Sequence, residues 1–131
     1  MRIVRFEDID AWHDARELTK HVYKCTSRNS FARDFGLRGQ IQRAASSVMH
    51  NIAEGFDSGG DAEFIRFLRY AQRSCTEVQS ELYVALDQEY LNEQQFRALF
   101  EQTDKVHAKI GGFIKYLLSS TKAKARRSTK D

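Results

Sequence analysis

Four histidines and two cysteines are the residues from which this chain of 131 could build a metal-binding or nucleophilic site. Glu17 and His21, like His50 and Glu54, stand one helical turn apart, the spacing at which a carboxylate and an imidazole share a helix face. A di-iron centre in a helical bundle needs Glu-x-x-His on two helices plus further glutamates, because each ion takes several carboxylate oxygens and an imidazole. None of His13, His21, His50 and His107 follows a glutamate at that spacing, so no metal or other cofactor is expected. Cys25 and Cys75 form no Cys-x-x-Cys pair and read as reduced, buried thiols. Gly59-Gly60 lacks the lysine and the preceding strand of a phosphate-binding loop, and no nucleophile elbow is present. The expectation is a protein without catalysis and without a small-molecule substrate.

The elements that carry these residues read as helices. With 41% hydrophobic and 30% charged residues the composition is globular, and the absence of proline removes the strongest helix breaker. Trp12, Ala15, Leu18, Val22 and Cys25 predict a first helix over about 10–26, with Asp8 or Asp10 as its N-cap. Residues 27–36 read as a connection, and a second helix rich in alanine and serine follows over about 37–55. Asp57-Ser58-Gly59-Gly60 is the clearest turn, with Ser58 or Asp61 available to cap a third helix over about 61–89. Phe64, Leu68, Ala71, Cys75, Val78, Leu82 and Ala85 alternate steps of four and three along it, a heptad seam. After Asn92 and Gln95, at capping-box spacing, a fourth helix repeats the seam with Phe96, Leu99, Thr103, Val106, Ile110, Phe113 and Leu117. Gly111 and Gly112 inside it point to a close helix contact. Seams with short connections predict an all-α, antiparallel up-and-down four-helix bundle.

If the second and third helices fold back about Gly59-Gly60, residues at one height have numbers summing to about 120. Ile52 then meets Leu68, Val48 meets Ala71, Ala44 meets Cys75 and Ile41 meets Val78, while Gly55 falls opposite the ring of Phe64. The same arithmetic sets Arg43 level with Glu77, Glu54 with Arg66, Asn51 with Arg69 and Ser47 with Arg73. Arg43–Glu77 and Glu54–Arg66 are accordingly expected as interhelical ion pairs that fix register. Arg66, Arg69 and Arg73 form a basic stripe that this arithmetic supplies with structural partners.

The run Gln40-Ile41-Gln42-Arg43-Ala44-Ala45-Ser46-Ser47-Val48-Met49-His50-Asn51-Ile52-Ala53-Glu54-Gly55 resembles the signature of the four-helix-bundle proteins linked to 23S ribosomal RNA intervening sequences. Phe6, Trp12, Ala15, Leu18 and Tyr23 before it match in order, as do Phe67-Leu68, Ala71, Ser74, Glu77 and Tyr90-Leu91 after it. The resemblance implies that Gln40, Arg43, Ser47, Asn51, Glu54, Gly55, Arg66 and Glu77 form a structural family motif. It further implies a protomer that assembles as a homopentamer. The family is similar to the accessory variability protein of diversity-generating retroelements, whose basic pentameric barrel engages a reverse transcriptase and nucleic acid. Met49 stands where the family often has proline, so no proline kink is expected in the second helix, and Arg73 stands where it often has glycine.

The net charge is +3, but residues 122–131 hold five of the 21 basic residues against one of the 18 acids. The remaining chain carries 16 and 17 and is nearly neutral. Residues 1–120 therefore read as the bundle and 121–131 as a basic, disordered tail. Lys122, Lys124, Arg126, Arg127 and Lys130 are its candidates for binding RNA or DNA through phosphate neutralisation, with strong salt dependence. Acidic residues occupy the start of the chain where a signal peptide would be apolar, and no apolar run approaches membrane-spanning length, so a cytoplasmic location without membrane partners is expected. The function read from these features is a non-catalytic, homo-oligomeric interaction module that binds nucleic acid or a nucleic-acid enzyme. The alternative is a structural adaptor with protein partners only.

Overall fold

The structure, a computed structural model, describes the backbone of residues 2–130 and the side chains of residues 2–122. Four α-helices follow one another: α1 (Asp10–Thr26), α2 (Phe35–Asp57), α3 (Asp61–Asp87) and α4 (Glu93–Lys130). Short 3₁₀ turns at Phe6–Asp8 and Asn29–Arg33 lead into α1 and α2. Contact runs around a square, α1 on α2, α2 on α3, α3 on α4 and α4 back on α1, the arrangement of an up-and-down four-helix bundle. Among the described residues no helix is long and apolar enough to cross a membrane.

The seams bury as their spacing requires. All seven expected positions of α3 lie in the core, as do Leu99, Thr103, Val106, Ile110 and Leu117 of α4, with Phe96 and Phe113 at its edge. On α1, Ala11, Ala15, Leu18 and Val22 are buried, and Trp12 packs edge-on against Phe6 at 5.0 Å. Ile41, Ala44, Ala45, Val48 and Ile52 of α2 face inward, and α2 runs unbroken through Met49 as the missing proline predicts. Thr19 donates to the carbonyl of Ala45, and Gln42 to the hydroxyl of Thr26, so polar bonds accompany the apolar contact between α1 and α2.

The helix ends depart from expectation in instructive ways. Ile9, not Asp8 or Asp10, is the N-cap residue of α1, because the Asp8 carboxylate is already held by the backbone N–H groups of Val4 and Arg5. Gly60 caps α3 without any side-chain bond, and Ser58 instead donates back to the Gly55 carbonyl. Gly59 takes the left-handed conformation, φ 86°, that its place in the turn demands. Asn92 and Gln95 do form the reciprocal cap, each backbone N–H bonded to the other's side chain. The connection before α2 is organised by Asp34: one carboxylate oxygen accepts from the Leu37 N–H and the other from the Tyr90 hydroxyl at 2.9 Å. One side chain thus caps α2 and ties the α1–α2 and α3–α4 connections together.

At Gly55 α2 approaches α3 closely. A Cβ there would stand 2.8 Å from the Cβ of Phe67 and 2.9 Å from a ring carbon of Phe64, with the Phe64 carbonyl at 3.2 Å. Of the glycine pair in α4, Gly111 faces the Gln72 amide, 3.2 Å from its would-be Cβ, whereas Gly112 faces open space. The close-contact expectation holds for the first and fails for the second. Two substitutions of identical chemistry should consequently act in opposite directions. Gly55→Ala should destabilise by about 1–3 kcal/mol, because packed neighbours must move. Gly112→Ala should stabilise by about 0.5–1 kcal/mol through helix propensity. Urea melts of the two variants beside the parent check this; equal shifts would contradict the close approach.

Candidate functional site

The small polar residues of the family motif lie along the α2–α3 seam. Asn51 donates from its amide to the Ser47 carbonyl at 2.8 Å and to the Ser47 hydroxyl at 3.0 Å. Ser74, buried on α3, completes the chain by donating to the Ser47 hydroxyl at 3.0 Å. The partner of Ser47 is therefore Ser74 and not Arg73, its neighbour in sequence. Arg73 is exposed and lies beside the ring of Tyr70, so it enters no close helix contact.

The expected ion pairs are not formed. Arg66 turns back one helical turn to Glu63 at 3.2 Å and binds the Tyr70 hydroxyl at 2.9 Å, while Glu54 stays exposed beside residues 4–7. Arg43 lies back along its own helix, where the missing side chain of Gly39 leaves room for the guanidinium. Arg43, Glu77, Glu54 and Arg66 are all exposed, and exposed pairs are worth at most about 1 kcal/mol, too little to draw long side chains across a groove when a nearer partner exists. The described ion pairs are instead Arg5–Glu7, Glu17–Lys20, Glu63–Arg66 and Asp14–Lys109. Gln40 is exposed, as is Lys122. The side chains of Lys124, Arg126, Arg127 and Lys130, and with them most of the expected tail site, lie outside the described residues.

Three of the residues considered for chemistry are engaged elsewhere. His13 bonds the Glu7 carbonyl at 2.6 Å, and His21 bonds the Gln102 amide at 2.9 Å, while Glu17 turns to Lys20. Among the described residues no group of three or more histidine, cysteine or carboxylate side chains is placed to hold a metal ion. Burial pushes the Cys75 thiol up to about 12 and that of Cys25 to about 11, so both stay protonated near neutral pH and lack thiolate character.

One polar residue escaped the sequence reading. Glu81, only 8% exposed, sits on the flank of the α3 seam one heptad beyond Ser74, and its Oε2 accepts no hydrogen bond. The seven-residue step from Ser74 was the available signal, since both positions border the seam on the side of α2. Desolvation, aided by the Glu77 carboxylate one turn away and opposed by Arg43, raises its pKa to about 7 from the ordinary 4.5. Because the folded-state value is the higher one, Glu81 costs nothing when protonated in both states, and the fold loses stability as pH climbs from about 4.5 to about 7. Above that window the loss is constant, on the order of 1–3 kcal/mol. Glu81→Gln should raise the melting temperature at pH 8 and leave it nearly unchanged at pH 4.5; a uniform shift at both would contradict the buried carboxylate as cause.

The arrangement as a whole is a packed bundle in which Ser47, Asn51 and Ser74 bond one another across the α2–α3 seam and Glu81 is the buried carboxylate left with an unbonded oxygen. The sequence matches the family described as 23S rRNA-intervening sequence protein over residues 7–112. A comparison with curated proteins yields no match. Among solved structures the chain is similar to a protein of unknown function from the S23 ribosomal protein family of Bacteroides thetaiotaomicron, with a TM-score of 0.73 and 21% identity over 80% of this chain and 98% of that one. That likeness carries the fold, and the family match spans most of the bundle: the chain belongs to the 23S rRNA-intervening sequence protein family.

Proposed function

We propose that the protein is a non-catalytic, cytoplasmic interaction module that assembles with copies of itself into a pentamer and binds nucleic acid, or an enzyme acting on nucleic acid. The observation that carries the assembly is an apolar surface the protomer leaves in water. Tyr83, 52% exposed, clusters with Phe96 and Phe100 at ring distances of 4.9 and 5.7 Å, and Val84 beside it is 45% exposed. Contiguous apolar surface of this kind marks contact with another macromolecule, and the resemblance to ring-forming relatives favours a second copy as occupant. Nucleic-acid binding is supported by the family and by the basic residues Lys122, Lys124, Arg126, Arg127 and Lys130. A ring would bring five such basic segments, each at the end of α4, together, and multivalency would strengthen individually weak phosphate contacts.

The near-neutral charge of residues 1–121 favours the second reading, an adaptor with protein partners only. Light scattering on the pure protein should give five times the 15.2 kDa chain mass, and a monomer would remove the assembly. Binding to 23S ribosomal RNA fragments should be measurable at low salt and fall steeply as salt rises. Failure of the intact chain to bind at low salt would leave the adaptor as the function.

A further inference from the structure

The outward face of α3 carries a second feature that the bundle does not use. Arg66, Arg69 and Arg73 follow steps of three and four, so they line one side of the helix over about 10 Å of its axis, and all three are exposed. Tyr70 stands among them. Its ring has the Arg66 guanidinium carbon at 5.4 Å from the centroid and that of Arg73 at 5.6 Å, and Phe67 braces it edge-on at 5.8 Å. Two exposed guanidinium groups thus lie within cation–π range of one aromatic ring. Only Arg66 has a carboxylate in ion-pair range, Glu63; among the described residues Arg69 and Arg73 take part in no ion pair.

We infer that this face is a binding track for single-stranded nucleic acid, an inference that rests on the nucleic-acid reading above and moves its main site from the tail to the bundle. Three guanidinium groups in a row match the charge of successive backbone phosphates, and each presents the fork that takes two phosphate oxygens at once. Guanidinium planes steadied by an aromatic ring also offer surfaces on which unpaired bases stack. The track is short. Glu63 bounds it one turn before Arg66 and Glu77 bounds it one turn after Arg73, both exposed. A rigid duplex laid along α3 would bring its phosphates onto these carboxylates, whereas a flexible strand can cross between them.

The test is fluorescence anisotropy of a labelled twelve-residue oligouridylate and of an RNA duplex of equal length, titrated with the full chain, the paired variant Arg69→Gln/Arg73→Gln, Glu77→Lys and a chain shortened after Ser120. The paired variant should bind the oligouridylate at least about tenfold more weakly and lower the slope of log affinity against log salt by about 1.4, as expected for two phosphates lost from a single strand. Glu77→Lys, which extends the track, should tighten binding severalfold. The shortened chain should still bind and should show the same sensitivity to Arg69 and Arg73. Unchanged binding by the paired variant, loss confined to the shortened chain, no gain from Glu77→Lys, or preference for the duplex would each overturn the assignment to α3. A full chain that binds neither RNA at low salt would instead remove the nucleic-acid reading on which it rests. The substituted side chains are all exposed; the paired variant should melt like the parent, which confirms that affinity alone has changed, and Glu77→Lys, which also relieves the buried Glu81 carboxylate, should melt no lower than the parent.

Discussion

The contact on which the rest depends is the close approach of α2 and α3 at Gly55. With no Cβ at that position the two phenylalanine side chains of α3 press against the α2 backbone, and close packing of this kind leaves one register and not a family of them. From that register the other features follow. It lays Ser47 against Ser74, sets Glu81 within the field of Arg43, and turns the arginines of α3 away from the core. The turn at Gly59 makes the hairpin short, but the glycine inside α2 sets its depth.

Apolar spacing was enough to read the bundle, because burial of a helix face is a collective property of many residues and tolerates errors in any one. The buried seven of α3 show this, as does the meeting of Gly55 with Phe64. Charges were not legible in the same way. Arg66 and Glu54 are level along the hairpin, yet Glu63, one turn away on the same helix, is the nearer partner, and sequence arithmetic that gives height alone says nothing of rotation about the helix axis. The link from Asp34 to Tyr90 joins residues 56 positions apart through two irregular connections that carry no periodicity. Glu81 was missed for a related reason: a charged residue beside a seam is read as solvated unless the width of the buried stripe is known.

Polar residues in this protein fall into two populations, and the division bears on function. Those that meet a partner inside the bundle, such as Ser47, Asn51 and Ser74 along α2–α3 or Gln42 and Thr26 between α1 and α2, fix helices against one another. Groups satisfied in this way are committed to the fold. The buried thiol of Cys75 and the thiol of Cys25, which is half-buried and not buried as its spacing suggests, belong with them, pushed up to about 12 and about 11, since raising the thiol pKa removes the nucleophile. What the fold leaves over includes exposed side chains of both charges and exposed apolar side chains such as Tyr83 and Val84. Exposed apolar patches and rows of cationic side chains are the surface features that contact with another macromolecule uses.

The boundary between the two populations is a single residue step. Successive residues on a helix are rotated by about 100°, so Ser74 points at α2 and bonds Ser47 while Arg73 points away and rests on Tyr70. Had the register been one residue different, Arg73 would meet Ser47 and the arginine face would be spent on interhelical contacts, as simple height-matching suggests. Gly55 against Phe64 and Phe67 prevents that slip. The same close contact that stabilises the hairpin therefore decides which side chains of α3 remain available to a partner.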